Sequence, residues 1–267
     1  MDIMRRNARR ITARYTRVAA LARECLFPAG CAVCKKTLVT GEDAWYGLCA
    51  SCRRTFPVEL ENRCLICGKP LVSENGLCMR CRRPSRDSRT DKPEEAWRRD
   101  EAQRREFDRL LPIFPYAGVC RTLLSAYKFG KNKAVGNFLM EKLLEALHFF
   151  LEDFTEPVMT PVPARHGKIK HEGWDQMEYL ARLIEKKNGA PSVCRCLKRL
   201  PSQTQKTLGY KERAVNLLRR IRCFRTPPKE IILFDDVYTT GATMNACAGA
   251  LKQAGAKKVY GICLFYT

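Results

Sequence analysis

The apolar run Ile231–Phe234 is followed by two acids, Asp235 and Asp236, and then by Val237-Tyr238-Thr239-Thr240-Gly241-Ala242-Thr243. Each residue type suits one part of a phosphorylated sugar. Carboxylates at the end of a strand can accept hydrogen bonds from vicinal hydroxyls. Gly241 lets the backbone approach an anion closely, and Thr239, Thr240 and Thr243 supply hydroxyl donors. A helix opening near Thr243 presents unpaired N–H groups to a phosphate. The residues read as binding are therefore Asp235, Asp236, Thr239, Thr240, Gly241, Ala242 and Thr243, with Asp235 and Asp236 also the candidate catalytic pair. The plain alternative is a strand–turn–helix junction whose Thr and Asp side chains only cap the helix. Two adjacent acids ending a buried strand are costly without a ligand or metal to receive them.

A second chemistry lies upstream. Of 15 cysteines, eight form four CxxC pairs: Cys31/Cys34, Cys49/Cys52, Cys64/Cys67 and Cys78/Cys81. Two such knuckles supply the four thiolates of a tetrahedral zinc shell, and Gly68 permits the left-handed turn that follows a knuckle. Two structural zinc ions are expected. All-cysteine shells leave no open position for catalysis, and a module this small needs metal to fold. Redox pairs or an iron–sulfur cluster are the alternatives, although a redox CxxC more often stands alone beside a βαβ unit. The spacing fits sequential pairing of the knuckles and crossed pairing of the first with the third equally well.

The remaining chain must position these groups. Residues 1–24 carry seven arginines up to Arg23 and read as a basic helix or a transit-peptide mimic. Residues 25–83 hold the paired cysteines, and residues 84–108 are a charged linker. Residues 109–267 alternate between strand and helix patterns. Strands are expected over 111–116, 157–163, 192–198, 230–234 and 258–265. Helices are expected over 119–129, 138–151, 173–187, 211–222 and 243–254. This alternation predicts an α/β domain with a Rossmann-like, doubly wound parallel sheet behind a small N-terminal zinc module. No apolar run nears the roughly 20 residues that span a bilayer, so a cytoplasmic chain is expected. A net charge of +21 favours anionic partners, although a basic surface can simply be solvated. Lys198, Arg199, Lys206, Lys211, Arg213, Arg219, Arg220, Arg222 and Arg225 form a basic belt suited to a nucleic-acid backbone, with Tyr210 and Phe224 as its only aromatics.

Taken together, the cysteine pairs, Tyr127-Lys128-Phe129, Pro161-Val162-Pro163, Gly173-Trp174-Asp175-Gln176, Gln205 with Glu212, Arg213 and Asn216, and the Asp235–Thr243 loop resemble the ComF family. That family comprises competence-type proteins with a zinc-ribbon head and a type I phosphoribosyltransferase domain. The likeness covers about 240 residues, from Leu26-Phe27-Pro28 to the last strand. It implies a loop for phosphoribosyl pyrophosphate (PRPP), bound with Mg²⁺. Lys128 would face the pyrophosphate. Ala164–Glu172 would form a mobile basic loop, with Arg165, Lys168 and Lys170 meeting the same charge. The chain departs from the family where Glu172-Gly173-Trp174-Asp175 replaces Arg-Gly-Phe-Asn, a change that weakens anion binding there. His166 and His171, in that basic stretch, read as solvated. Three functions follow: a phosphoribosyltransferase with an unidentified acceptor, a non-enzymatic factor binding single-stranded DNA within the competence machinery, or a PRPP-sensing regulator.

Overall fold

The computed structural model describes residues 29–64, 67–71, 76, 78, 105–150, 154, 156–165, 167–201 and 220–267, without the side chains of His171 and Glu172. The basic leader, most of the charged linker, Cys81, His166 and residues 211–219 of the expected basic helix lie outside these residues. So do Lys206, Tyr210, Lys211, Arg213 and Arg219.

The zinc head contributes two short helices, α1 (Gly41–Tyr46) and α2 (Ala50–Arg53). The α/β domain follows as β1 (Arg109–Pro115), α3 (Gly118–Lys128), α4 (Lys133–Leu147), β2 (Val158–Pro161), α5 (Lys168–Glu172), α6 (Gln176–Lys186) and β3 (Ser192–Val193). It continues as β4 (Leu197–Arg199), β5 (Ile221–Cys223), β6 (Glu230–Tyr238), α7 (Ala242–Gln253) and β7 (Lys258–Tyr266). Five strands form one parallel sheet in the order β1-β7-β6-β2-β3, while β4 and β5 make a separate antiparallel pair.

Alternation along β6 sorts the core into two layers. Ile232 and Phe234 join a cluster with Leu123 and Tyr127 of α3, Leu139 and Leu143 of α4, and Leu180 and Ile184 of α6. Ile231 and Leu233 join the opposite cluster with Met244, Cys247 and Leu251 of α7 and with Leu197 and Ile221. Strands buried on both faces read as continuous apolar runs, as Ile231–Phe234 does. The doubly wound parallel sheet is therefore present as expected. From β2 the chain moves outward to β3, and from β6 it moves outward the other way to β7. The neighbours β2 and β6 thus flank the point where strand order reverses, and a ligand crevice opens beyond their carboxyl ends.

Several boundaries differ from the sequence reading. The strand expected over 230–234 runs on to Tyr238, so Asp235 and Asp236 lie inside it; Asp235 pairs with Cys263 and Tyr238 with Tyr266. On its other side β2 stops at Pro161, opposite Phe234. The acids therefore belong to a strand paired on the β7 edge only. The strand expected over 192–198 divides into β3, in the main sheet, and β4, outside it. A basic helix reaching Arg222 is excluded, because Ile221–Cys223 is a strand paired with β4. Lys168–Glu172 is a short helix rather than a loop, bounded by Gly167 and Gly173, both at φ 80°. No helix among the described residues is long and apolar enough to cross a membrane.

The zinc head is built into this core. Phe56 packs edge-on against Phe114 of β1 and Phe138 of α4, with ring centroids 5.7 and 5.6 Å apart. Asn137 donates to the Trp45 carbonyl at 2.8 Å, and Tyr46 donates to Glu141 at 2.6 Å. Beneath the second knuckle, the buried Arg63 guanidinium donates to the carbonyls of Gly68 (2.8 Å) and Pro112 (2.7 Å). Gly68 sits at φ 62°, and a Cβ there would lie 1.9 Å from the Leu110 carbonyl oxygen. Gly68→Ala therefore forces the knuckle off β1 as well as straining its backbone. The expected cost is about 2–4 kcal/mol, read as a lowered denaturation midpoint together with faster zinc loss to a chelator. A midpoint within error of wild type would show that the head does not dock as described.

Candidate ribose-phosphate site and zinc centres

The two acids leave β6 on opposite faces, as successive strand residues must. Asp236 faces the α3/α6 layer. Its Oδ2 accepts from Lys128 Nζ at 2.8 Å and from Gln176 Nε2 at 2.6 Å. Lys168 of α5 donates in turn to Gln176 Oε1. Burial pushes the Asp236 carboxyl up, but the Lys128 ammonium, the Gln176 amide and the Lys168 charge outweigh it and hold the group below its ordinary value. Asp235 turns toward Cys247 and Cys263. Burial first, and the Asp236 charge second, push its carboxyl well above the carboxylate range. Its Oδ1 accepts the Asp236 backbone N–H at 2.8 Å. The pair thus carries one negative charge rather than two.

Beyond Tyr238 the chain turns sharply into α7. Gly241 adopts φ 82°, and a Cβ there would lie 2.7 Å from the Tyr238 hydroxyl. No side chain caps α7. Thr240 Oγ1 accepts only the Ala242 N–H, at 3.4 Å. The first N–H groups of a helix have no intrahelical partner, so this terminus is suited to an anion. Asp235, Tyr238, Thr239, Thr240, Gly241, Ala242 and Thr243 line a cleft of about 30 Å³. A larger cavity of about 190 Å³ opens beyond β2, lined in part by Pro161, Pro163, Asp175, Glu178 and Arg195. Its charges are mutually paired, with Arg195 held between Glu178 and Glu185. It adds shape beside the loop but no free charge.

The sequence-read residues therefore fall into two groups. Asp236, Lys128 and Lys168 converge on one network, and Thr239–Thr243 line the loop with Asp235 at its root. Arg165 is exposed and has no contact with either group. Asp175 is spent as the N-cap of α6, accepting from Met177 N at 3.0 Å and Glu178 N at 3.2 Å, so its carboxylate is engaged by the helix. Gln176 was absent from the residues read as binding, although it links Lys168 to Asp236 and is 3% exposed. A lone glutamine carries no chemical signature of its own. Its only signal was its place in the Gly173–Gln176 run. Trp174 fixes that run, packing edge-on against Tyr127 at 5.0 Å and donating to the Lys128 carbonyl at 3.3 Å.

In the head, the sulfurs of Cys31, Cys34, Cys49 and Cys52 lie within 4.8 Å of one another, as do those of Cys64, Cys67 and Cys78. Pairing is sequential rather than crossed. A zinc–sulfur bond of about 2.3 Å sets tetrahedral sulfur separations of roughly 3.8 Å. The distances of 3.7 Å for Cys34–Cys49 and 3.6 Å for Cys67–Cys78 match that spacing. Burial pulls the Cys31 thiol up, but the backbone N–H groups of Cys34, Cys49 and Val33 bring it down to about 6. Burial and the neighbouring thiols push Cys52 up. A dication at the centre would remove that repulsion, so the donor set fits zinc. Mg²⁺ fits the acid pair less well. Asp236 is already neutralised by Lys128, and Asp235 is held uncharged.

Comparison with known proteins agrees with this architecture. The double zinc ribbon domain family matches residues 22–82. Competence protein ComFC of Streptococcus pneumoniae is 30% identical over 152 residues, covering 55% of this chain; the chain spans 63% of that relative's length. Competence protein F of Haemophilus influenzae is 24% identical over 225 residues, covering 80% of this chain and 87% of the relative. DNA utilization protein YhgH of Escherichia coli K12 is 26% identical over 251 residues, covering 90% and 98%. A phosphoribosyltransferase crystal structure from Corynebacterium diphtheriae overlaps 48% of this chain and 60% of its own at 16% identity, with a TM-score of 0.27. An overlap that low adds nothing to the strand order described above. With a paired zinc ribbon fused to a parallel α/β domain, and with relatives of that name along most of its length, the chain belongs to the ComF family.

Proposed function

We propose that the chain binds PRPP or a related ribose 5-phosphate through the Asp235–Thr243 loop. We also propose that it serves DNA uptake or use, the processes for which its relatives are named. One observation carries the ribose-phosphate reading: a charged Asp236, closed on Oδ2 by Lys128 and Gln176, stands at the root of an uncapped helix entered through Gly241. Oδ1 of Asp236 is then oriented to accept from a ribose hydroxyl, while the α7 terminus and Thr239, Thr240 and Thr243 receive the 5′-phosphate. Lys128 and Lys168 sit where they can exchange their present partners for pyrophosphate oxygens. Arg165 would join them only by moving. Mg²⁺ would arrive on the pyrophosphate, because a small hard cation keeps several waters and takes substrate phosphates as ligands. In a transfer reaction the bond from C1 of the ribose to pyrophosphate would break as one to the acceptor forms. Asp236 would hold the sugar while charge develops on it.

Calorimetry with PRPP and Mg²⁺ tests binding. Wild type should bind, Asp236→Asn should weaken affinity at least about tenfold through loss of a charge-assisted bond, and Gly241→Val should abolish binding. A flat titration of wild type, or an unaltered Asp236→Asn, refutes the reading. Pyrophosphate release with candidate nucleobases then separates transfer from sensing.

The same two acids make opposite predictions for stability. The folded pKa of Asp235 is raised, so its contribution weakens as pH climbs from the ordinary carboxylate value toward the raised one. Asp235→Asn removes that decline and should leave the neutral-pH melting temperature equal or higher. The folded pKa of Asp236 is lowered, so its contribution is present above the ordinary value and is lost as pH falls through the lowered one. Asp236→Asn strips Lys128 of its partner and should lower the melting temperature by roughly 3–10 °C at pH 7. Equal shifts for both variants in differential scanning calorimetry would contradict this assignment of charge.

A further inference from the structure

The β4–β5 pair carries an outward face that the ribose-phosphate site does not use. Its register places Lys198 opposite Arg222, with Leu197 opposite Cys223 and Arg199 opposite Ile221. The pairing extends by one residue at each end, where Leu200 N–H donates to the Arg220 carbonyl at 2.8 Å and Phe224 N–H to the Cys196 carbonyl at 3.0 Å. Leu197 and Ile221 are buried against α7. Alternation then puts Lys198, Leu200, Arg220, Arg222 and Phe224 together on the other side. Phe224 is 53% exposed and Leu200 40%. Lys198 and Arg222 are exposed too. The Arg225 guanidinium stands 5.5 Å over the Phe224 ring.

Two features of this face call for a ligand. Like charges directly opposite on paired strands are destabilising, and Lys198 faces Arg222 with no carboxylate on the face to separate them. No described carboxylate forms an ion pair with Lys198, Arg220 or Arg222. Beside these cations stands a ring with solvent against it. A row of cations beside an exposed aromatic is the pattern that binds single-stranded nucleic acid, with phosphates on the cations and a base on the ring. Guanidinium groups add planar, two-pronged recognition of phosphate. A lipid surface would need a broader apolar face than one Phe and one Leu provide. We propose that the outward face of β4–β5 is a docking platform for single-stranded nucleic acid, with Lys198, Arg220 and Arg222 on the phosphates and Phe224 stacked on a base.

This platform is independent of the ribose-phosphate reading, and its test is kept separate. A fluorescein-labelled oligothymidylate of about 20 nucleotides, longer than a usual single-strand site, is titrated with the full chain by anisotropy across a salt series. Phe224→Ala should weaken binding about 5- to 100-fold, and Phe224→Trp should restore it. The double variant Lys198→Glu/Arg222→Glu should reduce the slope of log affinity against log salt by about 1.4. All three sites are exposed, and unchanged melting curves confirm that the variants fold. The proposal is overturned if wild type fails to bind at low salt, or if Phe224→Ala and the charge reversal both stay within twofold of wild type. It is also overturned if a duplex of matching sequence, or phosphatidylserine vesicles, bind as tightly and respond to the same variants. PRPP titrations of these variants should match wild type. If PRPP fails to bind even wild type while the oligonucleotide results hold, only the ribose-phosphate reading falls.

Discussion

The contact on which the rest of the domain turns is Asp236 Oδ2 with Lys128 and Gln176. A carboxylate on a buried strand is tolerated only when its charge is met, and the two donors come from different helices. Lys128 closes α3 and Gln176 opens α6, so one carboxylate ties both helices to β6. Neighbouring contacts serve the same junction. Tyr127 donates to the Gln176 carbonyl at 2.6 Å, and Trp174 donates to the Lys128 carbonyl. Where β2 stops at Pro161, β6 loses its neighbour on that side, and these side chains take over the role of the missing strand.

The zinc head reaches the same region from the opposite edge of the sheet. Lys69, two residues beyond Cys67, donates to the carbonyl of Thr267 at 2.6 Å, and its ammonium lies 5.5 Å from the centre of the Tyr266 ring. Thr267 N–H donates to the Tyr238 carbonyl at 3.1 Å, at the root of the Thr239–Thr243 loop. Arg63 meanwhile anchors the knuckle to β1. The second metal centre therefore connects through two hydrogen bonds to the backbone from which the phosphate loop departs. Metal in this head holds more than the head: it holds the last residue of β7, and through it the end of β6.

Much of this was legible in the sequence because it rests on local patterns. Continuous apolar runs marked the buried strands, and the CxxC spacing marked the sulfur clusters. Non-local effects were less legible. The length of β6 depends on β7, which pairs with it past Phe234, and no feature of Ile231–Phe234 announces that Asp235 and Asp236 stay in the strand. The split of 192–198 depends on where β2 ends. Arg222 reads as part of a basic helix because cations recur before it, yet Ile221 is taken into the core beside Leu197 and draws its neighbours into a strand. Asp175 looked like an unwelcome charge in an anion site. The structure spends it on the cap of α6, where aspartate and asparagine serve equally well.

The net charge of +21 is distributed with a purpose that composition alone does not reveal. Inside the crevice the acid pair carries a single charge, and Lys128 cancels it. That region is nearly neutral, and an anion is met there by backbone N–H groups and by lysines that already have partners. Such a site binds through fit, since a ligand must offer Lys128 and Gln176 something better than Asp236. On β4–β5 the reverse holds. Lys198 and Arg222 face each other across the strands, unpaired, and the field they create extends outward with only salt to screen it. A ligand there is gathered by charge and sorted weakly. Arg199 lies between the two regimes, half-buried on the inner side of the same strand. Burial lowers its pKa, and Asp235 is among the charges acting on it. One strand thus presents a solvated cation to one side and a desolvated one toward the acid pair. The outer surface and the inner site are thereby separated by the thickness of a single β-ribbon.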